Sequence, residues 1–390
     1  MDVAEQPFLP AYGSRSLAEL TPSLLAALGA PDQPNVLGIL PARRVCLLLI
    51  DGLGLRQLTA HASDAPFLAS LAAANPEPIT AGFPSSTPVS LASLGTGVPP
   101  GGHGVLGVSF EAGHGELLDA LKWTTHRGGK LVDQREELPP EQVQPLSTAL
   151  ERAAATGTEV HVVSDRLFNG SGLTRAALRG GEFRGVHALG DLAAELITAL
   201  RSPGPGFAYG YHADLDALGH VHGPGSLAWR LQLSTIDKVA ALVAEALPSD
   251  GLLVVTADHG MVAVAPGARI DADSEDVLRD GVRLLGGDAR SRHVYTKPGA
   301  ADDVLAAWTQ RLGPLAWVLS REEAVAAGWF GPVGSAETLR RIGDVVVAMR
   351  GDAAVVRTRA EKFLSGFIGQ HGSLTAVEQE IPLLMLRGGG

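Results

Sequence analysis

Val45-Cys46-Leu47-Leu48-Leu49-Ile50, closed by Asp51-Gly52-Leu53-Gly54, is the stretch whose reading decides the fold. A short apolar run with no alternation predicts a strand buried on both faces, and such strands belong to parallel sheets. The same grammar recurs along the chain. Glu159 to Ser164 ends at Asp165, Phe207 to His212 precedes Asp214 and Asp216, and Leu252 to Thr256 precedes Asp258. Helical patterns fall between these runs at Pro66 to Ala74, Pro145 to Ala155, Asp191 to Leu200 and Leu227 to Leu247. The first two open with proline, which suits the first helical position. Strands alternating with helices predict an α/β fold, a doubly wound and mostly parallel sheet with helices on both faces. In such sheets ligands bind beyond the carboxyl ends of the strands, where all four runs place acids and three of them place acids that matter for the chemistry below.

Two stretches break the rhythm, 109–140 and 265–360, and read as inserted lid segments over the sheet edge. With no repeat and no low-complexity linker, residues 1–390 read as one catalytic domain.

Composition narrows the function. The chain carries 31 basic and 42 acidic side chains, a net charge of −11, which argues against binding a nucleic-acid backbone. Hydrophobic residues at 45% against 19% charged predict a large packed core. Cys46 is the only cysteine, so neither an intrachain disulfide nor a thiolate zinc cluster is possible, and any metal falls to His, Asp and Glu. No apolar run approaches the roughly 18 residues of a membrane span. The residues before Arg15, with Asp2, Glu5, Pro7 and Pro10, lack the pattern of a secretory signal. The expectation is a cytoplasmic protein with no membrane partner.

Four segments carry chemistry. They are Asp51 in Ile-Asp-Gly-Leu-Gly; Phe83-Pro84-Ser85-Ser86-Thr87-Pro88 with Thr96-Gly97-Val98-Pro99-Pro100-Gly101-Gly102-His103-Gly104; Asp214-Leu-Asp216-Ala-Leu-Gly219-His220-Val-His-Gly223-Pro224; and Asp258-His259-Gly260-Met261 with a distant His371-Gly372. Taken singly, each has a plain structural reading. Asp51 before glycine suits a turn, Asp216 and His220 an exposed i, i+4 helix pair, Asp258-His259 a capped turn. Thr87 before Pro88 suits a helix N-cap, a position where oriented N–H groups also bind phosphate. Taken together they supply the oxygen and nitrogen ligands that zinc and related ions accept. Asp51, Asp258 and His259 can form one set of three, and Asp216, His220 and His371 another, leaving a position open on each of two divalent ions.

These segments, their order and their spacing resemble the alkaline phosphatase superfamily, and most closely its nucleotide pyrophosphatase/phosphodiesterase branch, over residues 44–385. The resemblance implies that Thr87 is the nucleophile and becomes phosphorylated. It further implies that Asp51, Asp258 and His259 hold the zinc ion that activates Thr87, while Asp216, His220 and His371 hold the one that activates water. The substrate implied is a small phosphate diester or nucleotide anhydride, with phosphomonoester or phosphonate hydrolysis on the same core as the alternative. The branch places a phosphate-binding asparagine where this chain has Val108, beside Ser109, so that donor is missing or supplied elsewhere. Gly102-His-Gly104-Val-Leu-Gly107 matches a bare dinucleotide pattern but lacks the preceding strand. His222 reads as a loop histidine, His103 as a support for its turn, and Trp123, Trp229 and Tyr211 as packing.

Overall fold

The computed structural model describes residues 6–113, 115–127 and 130–389. At its centre is a six-stranded sheet in the order Leu383–Arg387, Gly251–Thr256, Arg44–Ile50, Gly206–His212, Glu159–Asp165, Glu182–Val186. All pairings are parallel except that of the edge strand Leu383–Arg387, which runs antiparallel to Gly251–Thr256. Every side chain from Val45 to Ile50 is buried, so both faces of the sheet are covered, as the unbroken apolar run predicts. Burial pushes the Cys46 thiol up to about 12 and leaves it inert within this strand.

Strand Arg44–Ile50 lies between Gly251–Thr256 and Gly206–His212, in register with Leu47 opposite both Val254 and Tyr209. The three chains therefore end side by side, and Asp51, Asp258 and Asp216 leave the same edge of the sheet.

The expected helices are present, most with shifted bounds: that from Asp191 begins at Leu189, that expected to Leu247 ends at Glu245, and two further starts move. Pro66–Ala74 keeps its bounds, with Pro66 in the first turn. The helix expected from Pro145 begins instead at Ala149, because Thr148 and Glu151 form a capping box. The Glu151 N–H donates to Thr148 Oγ1 at 3.0 Å and the Thr148 N–H donates to Glu151 Oε2 at 2.8 Å. That reciprocal pair satisfies two orphan donors, whereas proline satisfies none. Helix Thr87–Thr96 also starts one residue from the expected place: Ser86 is the capping residue, Thr87 the first helical one and Pro88 the second. The Thr87 hydroxyl is thus not spent on a cap.

The two stretches that break the rhythm each fold around a four-stranded antiparallel sheet, and the second adds a parallel pair, Arg269–Asp271 with Ala354–Val356. In the first, Ser109–Glu111, Leu117–Asp119, Thr124–Arg127 and Lys130–Asp133 pair in sequence order; residues 114, 128 and 129 lie outside the described residues. In the second, Val282–Asp288, Ser291–Thr296, Val345–Met349 and Ala316–Ser320 form a sheet with its own core, which includes Trp308 of helix Ala301–Leu312. No helix among the described residues is long and apolar enough to cross a membrane.

Candidate metal centre

The structure gathers the six Asp and His residues into two groups. Asp51, Asp258 and His259 lie together, as do Asp216, His220 and His371, with one ligand atom from each member within 4.8 Å of the others.

The first group is sealed from solvent. Asp258 and His259 are fully buried and Asp51 is 3% exposed. The turn after strand Arg44–Ile50 requires Gly52, whose φ is +72° and whose added Cβ would lie 3.0 Å from the Asp216 Cβ. The Gly52 N–H donates to Asp258 Oδ1 at 3.0 Å, and so does the His259 N–H, which leaves Asp258 Oδ2 buried without a partner. His259 Nδ1 lies 3.0 Å from the Gly260 carbonyl oxygen, and its Nε2 lies 3.4 Å from both Asp51 Oδ1 and Asp258 Oδ2.

The second group builds on helix Asp214–His222, whose 3.6-residue repeat puts Asp216 and His220 on one face with Asp216 Oδ2 3.2 Å from His220 Nε2. His371 follows the short strand Gly369–Gln370. Its Nε2 lies 3.3 Å from His220 Nε2 and 3.8 Å from Asp216 Oδ1, which is itself buried and unpartnered. His220 Nδ1 meets the Gly369 carbonyl oxygen at 2.8 Å and His371 Nδ1 meets that of Ser85 at 2.9 Å.

All three histidines therefore donate from Nδ1 to a backbone carbonyl, so that in the neutral ring the lone pair sits on Nε2. In the second group two such lone pairs face each other beside a carboxylate oxygen with no donor. Acceptors packed against acceptors at these distances repel unless a cation lies among them.

The electrostatics agree. Burial, with Asp258 and Asp216 beside it, pushes the Asp51 carboxyl well above the ordinary range, while the Tyr211 hydroxyl that donates to Asp51 Oδ2 opposes the shift. Burial, and then His259, pushes His371 well below its ordinary value. Burial works against the ions at Asp216 and His220, yet their mutual attraction holds the carboxyl below its usual range and the imidazole above it.

Thr87 stands at the first group, 8% exposed. Its Oγ1 is 3.4 Å from Asp51 Oδ2 and 3.3 Å from His259 Nε2. Ser90, one turn on, donates from Oγ to the Asp258 carbonyl at 2.7 Å and ties this helix to the metal loop. The two groups are also joined to each other. The His259 and His371 rings stack with centroids 3.6 Å apart. The fully buried Arg290–Glu378 pair holds both loops: the Glu378 carbonyl accepts the Gly260 N–H at 2.9 Å and Glu378 Oε1 accepts the Ser373 N–H at 3.0 Å.

Two cavities, of about 410 and about 350 Å³, open beside Thr87 and share Thr87, Leu121, Lys122, Asp216 and Ala217. Val108 lines the larger one, and its N–H donates to Asp288 Oδ2 at 3.5 Å. Ser109 is engaged with Gly287, so neither residue offers a side-chain donor to Thr87. Burial pushes Asp288 up to about 7, against the pull of the Val108 N–H and Arg292.

His222 is exposed and belongs to neither group. His103 supports its turn as expected, accepting the Val105 N–H at Nδ1 and bonding Ser93 through Nε2. Trp123 and Trp229 are buried. Tyr211 is more than packing, since its hydroxyl holds Asp51. Lys122 and Asp288 also escaped sequence reasoning: each lies in a turn-rich segment with no motif around it.

Among curated proteins no sequence matches the chain. Solved structures do. Murine ectonucleotide pyrophosphatase/phosphodiesterase 5 has 18% identity and a TM-score of 0.66 over 87% of each chain. Its human counterpart has 19% identity and 0.64, again over 87% of each. Phosphonoacetate hydrolase from Sinorhizobium meliloti 1021, in complex with phosphonoacetate, has 19% identity and 0.64 over 89% of this chain and 90% of that one. At such identities these likenesses establish a shared fold. The type I phosphodiesterase/nucleotide pyrophosphatase family model matches residues 45–374, which contain every residue of both groups and Thr87. With most of its length matched to that model, the chain belongs to the type I phosphodiesterase/nucleotide pyrophosphatase family of hydrolases.

Proposed function

We propose that the protein hydrolyses phosphodiester or pyrophosphate bonds through a covalent phosphothreonine at Thr87, with two divalent ions, zinc by the chemistry of the ligands. Asp51, Asp258 and His259 would hold one ion and Asp216, His220 and His371 the other. The observation that carries this reading is the pair of Asp/His groups, with Thr87 Oγ1 3.4 Å from Asp51 Oδ2 and 3.3 Å from His259 Nε2, and with Asp258 Oδ2 and Asp216 Oδ1 buried without a hydrogen-bond partner. When bound, the ions supply the positive charge that lowers the pKa of a hydroxyl or water and neutralises phosphoryl oxygens.

The chain's own residues do the rest. Asp51 Oδ2, which accepts from the Thr87 hydroxyl at 3.4 Å, and His259 Nε2, 3.3 Å from it, set the direction of Oγ1. Attack forms the Oγ–P bond as the bond to the leaving oxygen breaks; water then bonds phosphorus as Oγ departs, which restores Thr87. Residues 1–390 act as one catalytic domain in which 109–140 and 265–360 cover the site, a view supported by Leu121, Lys122, Asp288 and Arg292 in the cavity walls. Their exclusion of bulk water strengthens every charge interaction inside.

A second reading, phosphomonoester or phosphonate hydrolysis, is favoured by Lys122. This cation borders both cavities with no partner among the described residues, and suits a substrate with one further negative charge. Metal analysis combined with bis(p-nitrophenyl) phosphate and p-nitrophenyl phosphate tests both. We expect two equivalents of zinc and faster diester turnover; clear monoester preference selects the second reading. Thr87→Ala should keep most of the metal and lose turnover, and retained turnover would reject the nucleophile.

A further inference from the structure

The smaller cavity is walled by Leu91, Val162, Leu173, Leu178 and Phe183 and opens at Thr87 and Asp51. Its polar side chains are a minority of the lining: those of Ser171 and Tyr211 are engaged, and Ser164 and Lys122 are the donors left among the described residues. Ser171 caps helix Gly172–Ala177, accepting the Thr174 N–H and donating to Thr174 Oγ1 at 3.0 Å. The Tyr211 hydroxyl is held by Asp51, so this residue turns its ring toward the cavity. Lys122 lines both cavities, as Thr87 does.

A nucleobase in this space would lose water from several ring nitrogens and exocyclic groups and find fewer partners than it lost, with Ser164 and Lys122 the free donors, a cost that hydrogen-bonding sites exist to avoid. An alkyl chain loses nothing polar and gains with each methylene buried. Size permits it, since an apolar cavity of about 150 Å³ already takes a benzene ring, and this one holds about 350 Å³. The apolar surface continues outward: Phe168 and Leu121 at the rim are 37% and 44% exposed, and Leu167 beside them is 72% exposed.

We propose that this cavity is the subsite for an alkyl arm of the substrate, so that the preferred substrate is a phosphate ester with an aliphatic chain rather than a nucleotide. The proposal rests on the hydrolase reading above.

The test is a series of p-nitrophenyl alkyl phosphodiesters, methyl to octyl, with the zinc-loaded full chain. We expect kcat/KM to rise about two- to fourfold per methylene until the cavity is filled. Phe168→Ser should cut the octyl-to-methyl ratio severalfold. A flat or falling series, or a thymidine 5′-monophosphate p-nitrophenyl ester outrunning the octyl ester tenfold, overturns the proposal while leaving the hydrolase reading intact. Binding of the corresponding alkyl phosphates to Thr87→Ala, followed by calorimetry, decides the matter without turnover. Affinity that climbs with chain length supports the subsite, and equal affinity for ethyl and octyl phosphate rejects it.

Discussion

A histidine whose Nδ1–H is engaged with a carbonyl has one lone pair left, and in this chain three such lone pairs point at carboxylates. Residues behind the ligands set that arrangement, Tyr211 among them. Tyr211→Phe removes the donor from Asp51 and should weaken zinc binding about 10- to 100-fold, read by titration against a metal buffer; unchanged affinity would reduce Tyr211 to packing. Two other histidines, outside both Asp/His groups, predict a pH effect of their own. Burial pushes His103 down to about 3 and His293 down to about 4, and both are essentially inaccessible. The unfolded state therefore takes up protons that the folded state refuses, so this stability is complete above about pH 6.5 and is lost as pH falls toward 4, by a few kcal/mol. Urea unfolding of the metal-free protein should show that slope, and His103→Gln should flatten it; an equal slope in the variant would remove His103 from the account. At this scale Asp51, Asp216 and Asp258 were legible because an acid closing an apolar strand is conspicuous. Tyr211 was not, since an aromatic on a buried strand looks like core. Its register explains it: Tyr211 pairs with Leu49, two residues before Asp51 and on the same face of the sheet.

Helix Thr87–Thr96 carries the proposed nucleophile, and its placement depends on close approach. An added Cβ on Gly95 would fall 1.8 Å from the Ala177 carbonyl oxygen, so the helix packs backbone against backbone on Gly172–Ala177. Gly95→Ala should destabilise the fold by about 1–3 kcal/mol and lower turnover as Thr87 shifts, measured by urea unfolding and diester hydrolysis together. A variant as stable and active as the parent would show that the helix is free to move. Patterns revealed this helix but not its first residue, because Ser86-Thr87-Pro88 supports two starts and tertiary contacts at Asp51 and His259 choose between them. Likewise Pro145 looked like a helix start until Thr148 and Glu151 supplied the stronger one.

For the molecule as a whole, buried strands and their helices were readable from periodicity, whereas the antiparallel sheets within 109–140 and 265–360 were not. Their short strands pair across turn-rich sequence whose alternation is weak. Whole-chain stability should depend on metal: each ion held in excess at a thousand times its dissociation constant adds about 4 kcal/mol. Chelation should therefore lower Tm and zinc should restore it, and a Tm indifferent to chelator would contradict the proposed centres. The stacked rings of His259 and His371 add a condition on how that metal enters. Fixing one ring against its neighbour prepays much of the ordering the neighbour needs, so the centres should fill cooperatively. Substoichiometric zinc would then divide the population into empty and doubly loaded molecules, and activity would rise in direct proportion to bound metal, whereas independent filling would make it track the square of occupancy.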